Sequence, residues 1–227
     1  MISIVLLYLQ KFSYDMKKYI LALSVAGLFF FTNCTKAPDA QKADTKDAQE
    51  VKTTSGKELK VDTQNSLVKW IGTKRTGRHE GTVKIQEGVL KVQDGNLTGG
   101  SFVLNMNTIE VTDLKPGEGK EKLEGHLKAD DFFNVEKYPT AKFEITSVTP
   151  DTTGGNTHKI EGNLTIRETT KSITFGAKVN ISEDAVEATT NFNINRKDWG
   201  IQYEGKKDDL IRDEVNFNIQ IKTEKSS

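Results

Sequence analysis

Histidine, cysteine and paired acids build most active sites and metal centres, and this sequence contains few of them. Its 227 residues include three histidines, His79, His126 and His158, and one cysteine, Cys34. A lone cysteine excludes a disulfide framework and a cysteine-based zinc site. His79-Glu80 and Asp130-Asp131 are the closest approach to an acid–base constellation. Neighbours on a strand point to opposite faces, so such pairs work together only where a loop redirects them. As solvated charges they need no catalytic role. A Gly-x-Ser-x-Gly elbow, a His-Glu-x-x-His helix, a Walker lysine loop and a Gly-x-Gly-x-x-Gly turn are all absent. The expectation is a protein that is not an enzyme and carries no cofactor or metal. Basic and acidic side chains balance at 32 each, so no strong field points to nucleic acid.

Cys34 is the one residue with chemistry written into its position. Lys17 and Lys18 precede an apolar run from Tyr19 to Phe31, which ends in Thr32-Asn33-Cys34. This is the order of a secretory signal peptide, with Met16 the natural start if the charged residues open it. The junction resembles a bacterial lipobox, in which the cysteine becomes the lipidated first residue of the mature chain. Phe31 and Asn33 depart from the Leu and the small residue usual there. Each buried acyl CH₂ contributes about 0.8 kcal/mol, so two or more chains on Cys34 would hold the protein on a membrane. From Thr35 to Gly56 the sequence is Lys, Asp, Ala, Gln and Thr with almost nothing apolar, a composition that reads as a flexible tether. The expected organisation is a signal peptide over 1–33, a lipidated N-terminus and tether over 34–58, a folded domain over 59–223 and a tail over 224–227.

Within the folded part, apolar residues recur at every second position, as in strands with one buried face. Val68 and Trp70 flank Lys69; Phe102, Leu104 and Met106 alternate with Val103, Asn105 and Asn107; Phe143 and Ile145 alternate with charged or hydroxyl neighbours. The pattern continues through Ile160, Leu164 and Ile166, then Ile173, Phe175, Ala177 and Val179, then Val186, Ala188, Phe192 and Ile194, and finally Val215, Phe217, Ile219 and Ile221. Glu87-Gly88, Asp94-Gly95-Asn96, Gly99-Gly100, Gly154-Gly155-Asn156 and Ser182-Glu183-Asp184 are turn signals between these runs. Short connections favour antiparallel neighbours, and a meander that closes on itself removes exposed edges. The fold class is therefore all-β, an eight-stranded antiparallel barrel, with a two-sheet sandwich as the alternative. The stretch from Asp113 to Phe133 breaks the rhythm and reads as a long connection with short helical turns, which Leu123, Leu127, Phe132 and Phe133 would seat over the barrel mouth.

Glu124-Gly-His-Leu-Lys-Ala-Asp-Asp-Phe-Phe-Asn-Val-Glu-Lys-Tyr-Pro-Thr-Ala-Lys-Phe143 is similar to the signature stretch of the YceI family. Gly162-Asn-Leu-Thr-Ile-Arg-Glu-Thr-Thr-Lys-Ser-Ile-Thr-Phe175 resembles the family's second element, and Asn195-Arg-Lys-Asp-Trp-Gly-Ile201 its third. Ala129 stands where the family commonly has Ser, and Glu168 where a turn glycine is usual. The resemblance implies an extended lipocalin-like barrel that binds an isoprenoid or another long amphipathic lipid in bacterial periplasmic proteins; with the anchor at Cys34, the expected location is the cell envelope, in the periplasm or as an outer-membrane lipoprotein. A homodimer is a looser expectation from the same likeness.

A lipid tail needs an apolar, tubular cavity, for which the inward candidates are Trp70, Phe102, Leu104, Met106, Phe143, Phe175, Phe192, Ile194 and Phe217. Several hundred Å² of buried tail at about 25 cal/mol per Å² is worth on the order of 10 kcal/mol gross, before ordering costs. A charged head group would look to His126, Lys128, Arg167 or Lys171 at the mouth. The competing readings are a filled-core interaction module displayed on the membrane and, behind it, an envelope enzyme.

Overall fold

The computed structural model describes residues 36–224, so the expected signal peptide, Cys34 and the end of the tail lie outside the described residues. In chain order the strands are β1 (Gln41–Lys42), β2 (Asp44–Asp47), β3 (Lys57–Lys60), β4 (Leu67–Lys74), β5 (Gly77–Gln93) and β6 (Asn96–Val111). Helix α1 (Lys120–Lys128) follows, then β7 (Thr140–Pro150), β8 (His158–Ile166), β9 (Thr169–Ile181), β10 (Val186–Asn195), β11 (Gly205–Lys206) and β12 (Asp209–Lys222). A ladder runs β10-β12-β4-β5-β6-β7-β8-β9, and β9 pairs back to β10. Every one of these pairings is antiparallel, so the eight long strands close into a barrel. Closure, not sheet-on-sheet packing, removes the edges, which settles the sandwich alternative.

Two of the expected turns are bends inside strands. Gly88 lies within β5 and Gly99-Gly100 within β6, where the pairing slips between Ile85 and Glu87 and between Lys91 and Val92. Glycine inside a strand often marks a bulge or a close approach of another chain segment. A Cβ on Gly88 would stand 2.8 Å from the Val61 side chain, and one on Gly100 2.6 Å from Val89 O. Each slip also swaps which residues face inward, so the inner face of β5 passes from Val83 and Ile85 to Leu90. Asp94-Gly95, by contrast, is a tight hairpin with φ of 52° and 74°.

The expected tether is in part barrel wall. β1 pairs in parallel with β10, Gln41 beside Phe192, and β2 pairs antiparallel with β9, Asp44 beside Thr174. Composition alone had argued for disorder here, because one short apolar side chain carries the burial: Ala43, 2% exposed between its two strands. Backbone pairing holds the segment, and composition does not register it.

One end of the barrel is tied by polar and aromatic contacts. Arg196, 2% exposed, donates to Ile201 O (2.6 Å) and Arg212 O (3.2 Å) and faces Asp213 (3.4 Å). Trp199 is wholly buried and donates from Nε1 to Leu164 O at 2.9 Å. Asp209 accepts from Lys74 (2.7 Å) and from the amide and hydroxyl of Thr76, and the Lys74 hydrogen bond leads in holding its carboxyl below the ordinary range. Burial pushes Asp113 up, but the Glu80 amide and His79 Nδ1 together bring it below its ordinary value.

Inside the wall, two large rings lie over glycines of the adjoining strand. A Cβ on Gly81 would meet Trp70 at 2.5 Å, and one on Gly162 would meet Phe143 at 2.4 Å. Gly162→Ala is therefore expected to displace Phe143 and to cost about 1–3 kcal/mol by overpacking. Gly125→Ala, in an exposed position of α1 with open space at its Cβ, is expected to stabilise by about 0.5–1 kcal/mol. Denaturant melts of the two variants check both signs. Carboxylates held below the usual range stabilise the fold above an unfolded pKa of about 4 and lose that contribution as pH falls through the folded value. The melting temperature should accordingly decline below about pH 4, and Asp209→Asn should flatten part of that decline in a calorimetric pH series.

Candidate functional site

Because strands present alternate residues to the lumen, the inward set forms one continuous apolar surface. It encloses a cavity of about 230 Å³, larger than the roughly 150 Å³ engineered cavity that admits benzene. A belt of phenylalanines crosses it: Phe102 to Phe143 at 6.5 Å, Phe143 to Phe175 at 5.7 Å, Phe175 to Phe192 at 4.3 Å and Phe192 to Phe217 at 6.0 Å between ring centres. Phe175 and Phe192 stack nearly parallel, 15° apart, across the junction of β9 and β10. Phe102, Leu104, Phe143 and Phe217 face the cavity yet are only partly buried, as expected of side chains that border unfilled space.

Eight of the nine inward candidates border this cavity: Trp70, Phe102, Leu104, Met106, Phe143, Phe175, Phe192 and Phe217. Ile194 does not; it is 2% exposed and packs in the core beyond the cavity. Leu127 of α1 and Phe132 and Phe133 of the following loop cap the same space. Thr190 and Lys142 are the polar residues on its border, and the Thr190 hydroxyl donates to Gly176 O at 2.7 Å. Among the described residues no carboxylate or histidine borders the cavity.

The four head-group candidates do not converge on the cavity. His126 stands 3.2 Å from Asp131 and packs edge-on against Tyr203 (4.4 Å) and Phe132 (5.8 Å). Arg167, at φ 56°, donates to Phe132 O (3.3 Å) and so fixes the capping loop from the β8–β9 hairpin. Lys128 is half-buried in the last turn of α1. Lys171, near the start of β9, is engaged by Asp47 of β2 at 2.9 Å; that hydrogen bond is the main cause lowering the Asp47 carboxyl. Tyr203 joins the cap from a segment with no periodicity, and no sequence signal marked it.

On the outer face beside the junction of β9 and β10 lies a second depression of about 570 Å³, bordered mainly by polar side chains, among them Gln41, Asn156, Lys178, Asn191, Asn218 and Gln220. The alternation of strands foretold that this face would be polar, but not that it would be concave.

Comparison with known proteins agrees with this architecture. Residues 59–223 match the family model described as the YceI-like domain. A UPF0312 protein of Pseudomonas putida (strain W619) is 35% identical over 129 residues, which are 52% of this chain and 65% of that protein. The match thus covers somewhat less than two-thirds of that relative's length. The crystal structure of Burkholderia cenocepacia BcnA superposes with a TM-score of 0.60 at 19% identity, covering 71% of this chain and 98% of that one. A polyisoprenoid binding domain from Saccharophagus degradans superposes with a TM-score of 0.53 at 12% identity, covering 74% and 98%. At these identities the two structures show a shared fold, while the family match spans most of the chain: the protein belongs to the YceI-like family.

Proposed function

We propose that the barrel binds the hydrocarbon chain of a long amphipathic lipid, such as an isoprenoid, an isoprenoid quinone or a fatty-acid derivative, and carries it at the bacterial envelope. The observation that carries this reading is the apolar lumen of about 230 Å³ beneath a hydrophobic cap. A slender tail loses water on all sides in such a space and asks for no polar partner there. The description of one fold neighbour as a polyisoprenoid binding domain is in keeping with it. Catalysis plays no part in the proposal, since an acid–base pair would need to stand at the lumen. Lipidation of Cys34 after export would hold the carrier on a membrane, with about 0.8 kcal/mol per buried CH₂ of acyl chain.

The test is mass spectrometry of organic extracts from the mature chain, residues 34–227 with Cys34→Ser, which lacks both the acylation site and the apolar run from Tyr19 to Phe31 and can be purified without detergent. Stoichiometric long-chain lipid is expected. Ala188→Phe places a ring in the lumen from a partly buried position on its border, and this variant should stay folded and lose the lipid. Lipid absent from both proteins, together with failure to bind added isoprenoids, would overturn the reading in favour of an interaction module.

A further inference from the structure

β9 and β10 are thirteen and ten residues long, yet only Lys178–Ile181 and Val186–Thr189 pair with each other. Beyond that point the two strands diverge and residues 41–47 fill the gap. Gln41 sits at the fork. Its carboxamide imitates the missing strand, donating from Nε2 to Gly176 O (2.8 Å) and accepting from Gly176 N (2.9 Å). Ala43 donates to Asn193 O (2.9 Å), and Gln49 and Asn163 exchange hydrogen bonds of 2.9 and 2.7 Å. Apart from Ala43 and the half-buried Thr45, residues 41–49 are exposed. This part of the wall is held by hydrogen bonds and one buried methyl group, which places it among the segments that open locally before the barrel unfolds.

The lumen and the outer polar depression meet at this place. Thr190 borders both, and Gln41 borders the outer one while pairing beside Phe192, which borders the inner one. The outer depression offers amides and hydroxyls, with Lys178 its one charged residue among the described residues. That chemistry suits an uncharged, hydrogen-bonding head group; a phosphate would call for several convergent cations.

Resting on the lipid-binding reading, we infer that the head group lies outside the barrel in the depression at the β9–β10 fork, and that the tail enters the lumen sideways when residues 41–47 lift away. The tail then passes at Thr190 and Gln41, and the cap formed by α1 and Phe132 stays closed. Polar atoms of the head exchange water for Asn191, Asn218 and Gln220 without crossing the apolar lumen.

The experiment uses the same mature chain with Cys34→Ser and three probes: geranylgeraniol, geranylgeranyl phosphate and the headless hydrocarbon squalene. Asn218→Ala/Gln220→Ala should weaken geranylgeraniol about tenfold and leave squalene within about twofold, a tenfold change corresponding to about 1.4 kcal/mol. Gln41→Ala should raise association and dissociation rates of squalene, which has no head group to meet Gln41, together by roughly tenfold with little change in Kd. A disulfide between Asp44→Cys and Thr174→Cys, which face each other in the ladder, should slow both rates, and reductant should restore them. Stopped-flow fluorescence of Trp70, at the lumen, reads the kinetics, and circular dichroism confirms each fold. If no probe binds the parent, the lipid-binding reading itself fails. If probes bind but the double variant weakens squalene as much as geranylgeraniol, or the phosphate binds more tightly than the alcohol, the outer head-group site is overturned. If the disulfide leaves the rates unchanged, the sideways entry is overturned.

Discussion

A closed barrel must satisfy the backbone hydrogen bonds of every strand around its whole circumference, and in this protein the closing pair, β9 with β10, meets that demand over only part of its length. β9 and β10 share four residue pairs and then part. Left open, the fork would expose unpaired N–H and C=O groups beside a hydrophobic interior, each costing about as much as a lost hydrogen bond. The segment from Gln41 to Asp47 answers that demand from outside the family-matched residues, first along β10 and then along β9. The wall around the lumen therefore depends on a stretch whose side chains contribute little to the core. Everything inward of the fork, including the stacked Phe175 and Phe192, is sheltered by it.

The lumen stays open for a reason visible in its packing. Protein interiors ordinarily fill to the density of organic crystals, and an eight-stranded barrel is narrow enough for its own side chains to fill it. Here the large rings lie flat against the wall. Trp70 covers Gly81 and Phe143 covers Gly162, so two aromatic side chains occupy space that the neighbouring strands leave free. At one barrel end Arg196, Asp209 and Asp113 hold loops and hairpins through polar ties. Apolar surface is thus offered along the middle of the tube and rigidity at its rim, an arrangement that preorganises the cavity.

Much of this was legible in the sequence, and the failures share a cause. Period-2 alternation located the long strands, because one residue in two must face the lumen whatever the register. It also identified the phenylalanine belt, since Phe102, Phe143, Phe175, Phe192 and Phe217 all fall on inward positions. Alternation gives direction only, and depth along the barrel is set by register. That is why Ile194, inward by parity, packs past the end of the cavity. Glycine pairs looked like turns because bulges and turns use the same residue, and bulges in β5 and β6 also hid Val83, Ile85 and Leu90 by changing the phase. Lys171 and Arg167 are cations whose partners, Asp47 and the Phe132 carbonyl, come from remote segments. Residues 41–47 escaped because backbone pairing leaves no trace in composition.

The position of the fork bears on how a membrane anchor would work. With the stretch from 34 to 58 read wholly as a tether, an anchor at Cys34 would let the barrel roam many tens of ångströms from the bilayer. Pairing begins instead at Gln41, seven residues from Cys34, and a fully extended chain of that length spans roughly 25 Å at most. An acylated Cys34 would therefore keep the β9–β10 fork close to the lipid surface, whichever way the rest of the barrel turned. Lateral motion of the anchor would pull on the strand that covers the lumen, since the two are consecutive in the chain. A carrier that loads from the side would be tethered by its door, so that contact with the membrane and access to the lumen are coupled through the same few residues.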